Sequence, residues 1–184
     1  MKKTLLTVIA LIILFNMSMV TDTVNAEELL IDKEIEELAK LGNYYNSYIS
    51  SDEGFFVANE EKMQKDNLSE NDKAEIRAFS ETKNELGERP RDKYLRIKLK
   101  MYHGNYCGKG NNGGKPIDKL DAACKAHDEC YEKYGWGKCK CDKPFIKKAA
   151  KIARNEKYSK KYRNKAKNAA VLFAVAYARC KYLK

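Results

Sequence analysis

Along "EELLIDKEIEELAKLG", residues 27–42, apolar side chains recur at Leu30, Ile31, Ile35, Leu38 and Leu41 among acids and lysines. That spacing predicts an amphipathic helix with Gly42 as its stop. From there to about Asn71 the pattern weakens, only "GFFV" being strongly apolar, and the segment is expected to be mostly loop. "NDKAEIRAFSETKNELG" resumes helical spacing at Ala74, Ile76, Phe79, Lys83 and Leu86, which predicts a second helix ending before Pro90. "YLRIKLKMY" alternates Leu95, Ile97, Leu99 and Met101 with basic residues, which favours a strand, although Leu95, Leu99 and Tyr102 also share one helix face. After Pro116, Asp118 is placed to cap a helix through Leu120, Ala123, Cys124, His127, Cys130 and Tyr131 that ends at Gly135. Pro144 suits the first turn of the next helix, Asp142 to about Ala153. The basic "RNEKYSKKYRNK" then separates it from a last helix, "AKNAAVLFAVAYARCKY". The pattern predicts a mainly α chain.

The first residues change the compartment expected. "MKKTLLTVIALIILFNMSMVTDTVNA" has a basic start, an apolar run from about Leu5 to Phe15, and small residues at Val24 and Ala26. This reads as a secretory signal, residues 1–26, with an apolar run too short to span a bilayer. All six cysteines, Cys107, Cys124, Cys130, Cys139, Cys141 and Cys180, lie in the C-terminal half. An even number in an exported chain points to three disulfides and leaves their pairing open. A thiolate zinc site at Cys124, His127 and Cys130 is the rival reading, disfavoured because exported thiols oxidise and zinc ligands usually come as separated pairs.

Charge then divides the chain. Residues 27–90 carry 8 Lys or Arg against 17 Asp or Glu, a net of −9, whereas residues 91–184 carry 26 against 8, a net of +18. An acidic helical extension, residues 27–90, therefore precedes a basic domain, residues 91–184, suited to anionic surfaces. No nucleic-acid-binding motif accompanies that charge. The lysines are read either as a solvated face or as contacts to anionic lipid headgroups, with Trp136 and the tyrosines of "KYSKKYRNK" as candidate interfacial residues. His103 is expected on a surface or loop.

The candidate chemistry lies in "YCGKGNNGGKPIDKLDAACKAHDECY", residues 106–131. A Cys107–Cys124 bond would pin the glycine loop to the first helix, and a Cys130–Cys141 bond would set the second helix beside it. His127 precedes Cys130 by three residues, roughly 4.5 Å of helix. Asp142 follows Cys141, so antiparallel helices would bring His127 and Asp142 within about one turn of each other. A carboxylate accepting the Nδ1 hydrogen would leave Nε2 free to take a proton from water. The glycine loop can turn carbonyls inward, and with Asp128, about 100° around the helix from His127, it offers an all-oxygen cage suited to Ca²⁺. A loop N–H can assist as an oxyanion donor.

"YCGKG", "GKP" and "LDAACKAHDECY", continued by "CKCD", resemble the secreted phospholipase A2 family, of bacterial and calcium-dependent type, over roughly residues 102–150. The resemblance implies disulfide-stapled antiparallel helices with a glycine-rich calcium loop. It makes His127 the general base and Asp142 its orienting partner. Tyr106, Gly108 and Gly110 become carbonyl ligands of Ca²⁺, Asp128 its carboxylate ligand, and the Gly108 N–H an oxyanion donor. Tyr131 matches a tyrosine that hydrogen-bonds the dyad Asp. The implied reaction is hydrolysis of the sn-2 ester of glycerophospholipids at an anionic membrane surface, by a secreted enzyme with a role in virulence or as a toxin. The chain departs from the pattern where "NNGG" lengthens the loop by one residue and where Ala123 replaces a second cysteine, which on the resemblance leaves Cys139 to pair with Cys180. The acidic extension lies outside the resemblance and is expected to be a permanent helical cap, the alternatives being a removable pro-segment or a partner-binding segment. Two rival functions are a non-catalytic cationic membrane- or receptor-binding module and a hydrolase of non-lipid esters.

Overall fold

The computed structural model describes residues 26–52, 54–86 and 101–182. All but the last residue of the proposed signal, and most of "YLRIKLKMY", lie outside them. The chain divides into two compact units, one ending at Ile35 and one of Glu36–Lys184. In the first, residues 26–35 are helical, with Leu29 and Leu30 exposed. All that follows concerns the second.

There helix α1 continues over residues 36–46, so Gly42 does not stop it. The reason is tertiary. A Cβ on buried Gly42 would lie 2.4 Å from Val175 Cγ2 and 3.0 Å from Val171 Cγ1, so the glycine lets two helices approach closely. The segment expected to be loop contains a hairpin, β1 (Ile49–Asp52) and β2 (Phe55–Ala58), paired antiparallel with Asp52 opposite Phe55. Helix α2 (Glu60–Lys65) follows, Asn59 capping it by accepting from the Lys62 N–H at 2.9 Å. These short elements carry too few apolar residues for a periodic signal and are held from outside. Asn84 of α3 (Glu70–Leu86) exchanges two 2.8 Å hydrogen bonds with the Phe56 backbone. The helix predicted over 71–87 is thus α3.

Helix α4 (Lys119–Tyr134) begins where predicted, with Asp118 accepting from the N–H groups of Leu120 and Asp121. Helix α5 (Cys139–Arg154) starts three residues before the expected Asp142, so Asp142 and Pro144 both lie inside it. Pro144 removes one backbone donor that would have reached the Lys140 carbonyl. Helix α6 (Lys160–Tyr182) also starts earlier than expected, after Ser159, whose Oγ accepts from the Tyr162 N–H. Part of the basic segment between α5 and α6 is therefore helix.

Helix α6 organises the packing. It buries Ala166, Ala169, Ala170 and Ala174 and packs extensively on α5, which buries Ala149 and Ala150. On its other side Val171 joins Tyr45, Tyr48, Met63, Ile76 and Phe79 in one apolar cluster. Fully burying each such side chain stabilises by about 1.5–3 kcal/mol. The six cysteines form three disulfides, Cys107–Cys124, Cys130–Cys141 and Cys139–Cys180, with Cα separations of 5.1, 5.6 and 5.8 Å. Each adds about 2–4 kcal/mol. No described cysteine is left for a thiolate metal site. The molecule is a small, disulfide-rich, mainly helical fold.

Candidate active site

Two stripes of α4 carry the site. His127, Cys130 and Tyr131 face α5, while Asp121, Cys124 and Asp128, at i, i+3 and i+7, share the stripe under the loop of residues 101–118. The Cys130–Cys141 bond fixes α5 beside the first stripe. His127 Nε2 then lies 2.9 Å from Asp142 Oδ1, and Tyr131 donates its hydroxyl hydrogen to the same oxygen at 2.5 Å. Asp142 is 1% exposed and His127 6%. A carboxylate this deep is costly unless hydrogen-bonded, and the two donors supply that compensation. Around the imidazole, the rings of Tyr131, Phe145 and Phe173 lie at centroid distances of 4.2, 4.9 and 4.7 Å.

The dyad is assembled with the two nitrogens reversed from the sequence expectation. Nε2, the far ring nitrogen, spans the gap to α5, so Nε2–H donates to Asp142 and the Nδ1 lone pair is the one left to act as base. The helix backbone sets this: with α5 held one disulfide away, the nitrogen farther from Cβ is the one that reaches it.

The second stripe holds the glycine loop. Asp121, fully buried, accepts from Asn105 N–H at 3.0 Å, Tyr106 N–H at 2.8 Å and Ile117 N–H at 2.9 Å, gathering both ends of the loop. Gly104 makes room for it. At φ +58°, a Cβ there would lie 2.3 Å from the Asp121 carboxyl carbon. The Tyr106 hydroxyl donates to the Gly114 carbonyl at 2.8 Å, and Asn112 N–H to the Asn105 carbonyl at 2.8 Å, closing "NNGG" back on the loop. The Cys107–Cys124 bond completes the attachment to α4. His103 is a loop residue, as expected, and its Nε2 is 2.6 Å from the capping carboxylate of Asp118. Sequence reasoning missed Asp121. The "LD" of "LDAAC" sits three residues before Cys124, the helix spacing that puts a carboxylate under the loop that cysteine anchors.

Asp128 is half-buried, and among the described residues its carboxylate has no hydrogen-bond or ion-pair partner. Its carboxyl is raised to about 6, chiefly by burial, with His127 opposing the rise and Glu132, Asp121 and Glu129 adding to it. A cation at its oxygens would relieve that cost. Among the described residues, no three His, Cys, Asp or Glu side chains cluster as a metal site. A cation at Asp128 therefore needs main-chain oxygen, the donor type that Tyr106, Gly108 and Gly110 carry. An all-oxygen set with one carboxylate fits a hard cation such as Ca²⁺ rather than zinc. A Gly108 Cβ would lie 2.9 Å from Met101 Sδ, so a side chain at that position would press on the Met101 side chain.

The chain is 40% identical over 68 residues to "Phospholipase A2-beta" of Arabidopsis thaliana, covering 32% of this chain and 46% of the relative. It is 41% identical over 64 residues to "Probable phospholipase A2 homolog 1" of Oryza sativa subsp. japonica, covering 30% and 46%. The chain thus spans about half the length of the curated relatives it matches. No family model and no solved structure matches it. Over those stretches the chain is similar to two plant proteins that both carry the name phospholipase A2.

Proposed function

We propose that this chain is a secreted, Ca²⁺-dependent phospholipase A2 that hydrolyses the sn-2 ester of glycerophospholipids at an anionic membrane surface. The observation that carries the reading is the buried Tyr131–Asp142–His127 chain of hydrogen bonds, which leaves Nδ1 as the one basic nitrogen of the ring. His127 Nδ1 takes a proton from water as the water attacks the ester carbonyl. Asp142 stabilises the imidazolium that forms, and Tyr131 holds Asp142 in place. The proton then passes from His127 to the departing glycerol oxygen. Asp128 and the carbonyls of Tyr106, Gly108 and Gly110 would hold Ca²⁺, and the Gly108 N–H would donate to the oxyanion. When bound, Ca²⁺ supplies positive charge that polarises the ester carbonyl.

Three paired disulfides and the signal-like N terminus support export. The net of +18 over residues 91–184 supports an anionic lipid partner rather than nucleic acid, for which no motif is present. Residues 27–90 are read as a permanent extension, supported by the packing of α3 on α6.

Fatty-acid release from the sn-2 position of anionic vesicles is the decisive assay. The purified protein is expected to be active with Ca²⁺ and inactive with chelator. His127→Gln should lower turnover by about 10²–10⁴ with an unchanged melting temperature. Asp128→Asn should raise the Ca²⁺ concentration required. Wild-type turnover in His127→Gln would overturn the mechanism, and vesicle binding by an inactive wild type would favour a non-catalytic cationic module.

A further inference from the structure

The turn between α4 and α5 has features that the chemistry of the dyad does not require. Residues 132–138 are all exposed, and Trp136 is 82% exposed, more than any other large apolar residue described. It stands between Gly135 at φ +92° and Gly137 at φ +71°, left-handed positions that only glycine adopts freely, so the turn is built to hold the indole at its apex. The turn is not loose. Cys130–Cys141 ties its two sides together, and Cys139–Cys180 ties its base to the end of α6. One edge of the indole rests on Tyr131, ring centroids 5.0 Å apart, and Tyr131 in turn lies 4.2 Å from His127.

The surroundings point to one kind of partner. Tyr134 is half-exposed, with Lys140 Nζ 3.1 Å and Lys133 Nζ 5.0 Å from its ring centroid. Tyr182, two residues beyond Cys180, is 68% exposed. Over residues 131–141 and 179–182 there are five Lys or Arg and a single acid, Glu132. Exposed Trp and Tyr beside lysines make the side-chain set that settles at a bilayer interface, rings among the headgroups and ammonium groups at phosphates. The other aromatic candidates are otherwise engaged: Tyr158 and Tyr162 are half-buried against each other, and the Tyr162 hydroxyl accepts from the Leu120 N–H.

We infer that the α4–α5 turn is a rigid membrane anchor, inserting Trp136 into the interface of an anionic bilayer and so presenting the His127 end of the helices to the lipid. The inference rests on the lipid-hydrolase reading of the dyad for its purpose, and on Trp136, its glycines and its lysines for its location.

The chain has one tryptophan, so its fluorescence reports on this residue alone. His127→Gln protein is mixed with phosphatidylglycerol vesicles, so that no turnover alters the lipid. The emission should shift to the blue and be quenched by lipids brominated in the acyl chain, with a much smaller response to phosphatidylcholine. Trp136→Ala, with an unchanged melting temperature, should co-sediment with the anionic vesicles about tenfold more weakly. Co-sedimentation with solvent-like emission, equal binding by Trp136→Ala, or binding to neither vesicle would overturn the anchor. Fatty-acid release by the wild type without the emission shift overturns the anchor and leaves the hydrolase. A shift in a wild type that releases no fatty acid does the reverse.

Discussion

Helix α6 receives two halves of the molecule by different means. On the side of the site, residues 101–154, the packing of α5 on α6 is joined by specific ties: the Cys139–Cys180 disulfide and hydrogen bonds such as Tyr102 hydroxyl to the Lys165 carbonyl at 2.7 Å, while the Asp121 carboxylate holds the loop to α4. On the other side, residues 36–86, the attachment is mainly apolar, with Tyr45, Met63, Ile76 and Phe79 closing on Val171 beside a polar contact, Lys167 to Glu75 at 2.7 Å. The first half fixes the positions of a few atoms. The second excludes water from an area and tolerates any residues that fill it. Substitutions in the first half should therefore change chemistry and stability together, and those in the second stability alone.

The sharpest test is at Asp121. Asp121→Ala removes the acceptor of three loop N–H groups, and leaving such donors unmatched costs about 1–3 kcal/mol each. With some replacement by water, a loss of about 3 kcal/mol or more is expected in chemical unfolding, together with a higher Ca²⁺ requirement for fatty-acid release. Asp121→Asn, which keeps one acceptor oxygen, should fall between the two. An unfolding midpoint equal to wild type would show that the carboxylate is not what holds the loop.

The same contrast explains what the sequence revealed. The helix from Lys119 was legible because Asp118 and Gly135 act locally, through hydrogen bonds and dihedral angles of their own residues. The pairing of His127 with Asp142 was legible because two cysteines at fixed offsets set the register. Which imidazole nitrogen faces Asp142 was not, since it depends on a helix separation of a few ångströms. The hairpin at Ile49–Ala58 was illegible because its support, Asn84, lies 28 residues from Phe56. Gly42 was misread for a related reason. A glycine inside a helix and a glycine ending one look alike until the neighbouring helix is known.

Gly42 also gives the intermediate test. In an isolated helix Gly→Ala stabilises by about 1 kcal/mol. Here the new methyl would meet the stiff, β-branched Val175 and Val171, and forcing such contacts apart typically costs about 1–3 kcal/mol. Gly42→Ala is therefore expected to lower the melting temperature modestly while leaving fatty-acid release per folded molecule unchanged. A stabilised Gly42→Ala would mean that α1 is not seated against α6 this tightly, and altered turnover would couple the two halves.

The smallest effect is expected at the polar contact within the apolar half. Burial alone would raise the Glu75 carboxyl, but hydrogen bonds from Lys167 and from the Tyr45 hydroxyl outweigh it and hold Glu75 below the usual 4.5. A carboxylate lowered on folding contributes stability that is fully present above its unfolded value and is lost as pH falls through its lower folded value. The side chains of Glu75 and Lys167 are 36% and 32% exposed, so solvent screens much of the pair. Its contribution is about 0.5–1 kcal/mol. Unfolding of wild type and Glu75→Gln should therefore differ by that amount at pH 7 and converge below pH about 4, as protonation of Glu75 makes the two side chains alike in charge. A difference that persisted at low pH would assign Glu75 a packing role, and the apolar half would then hold to α6 without help from charge.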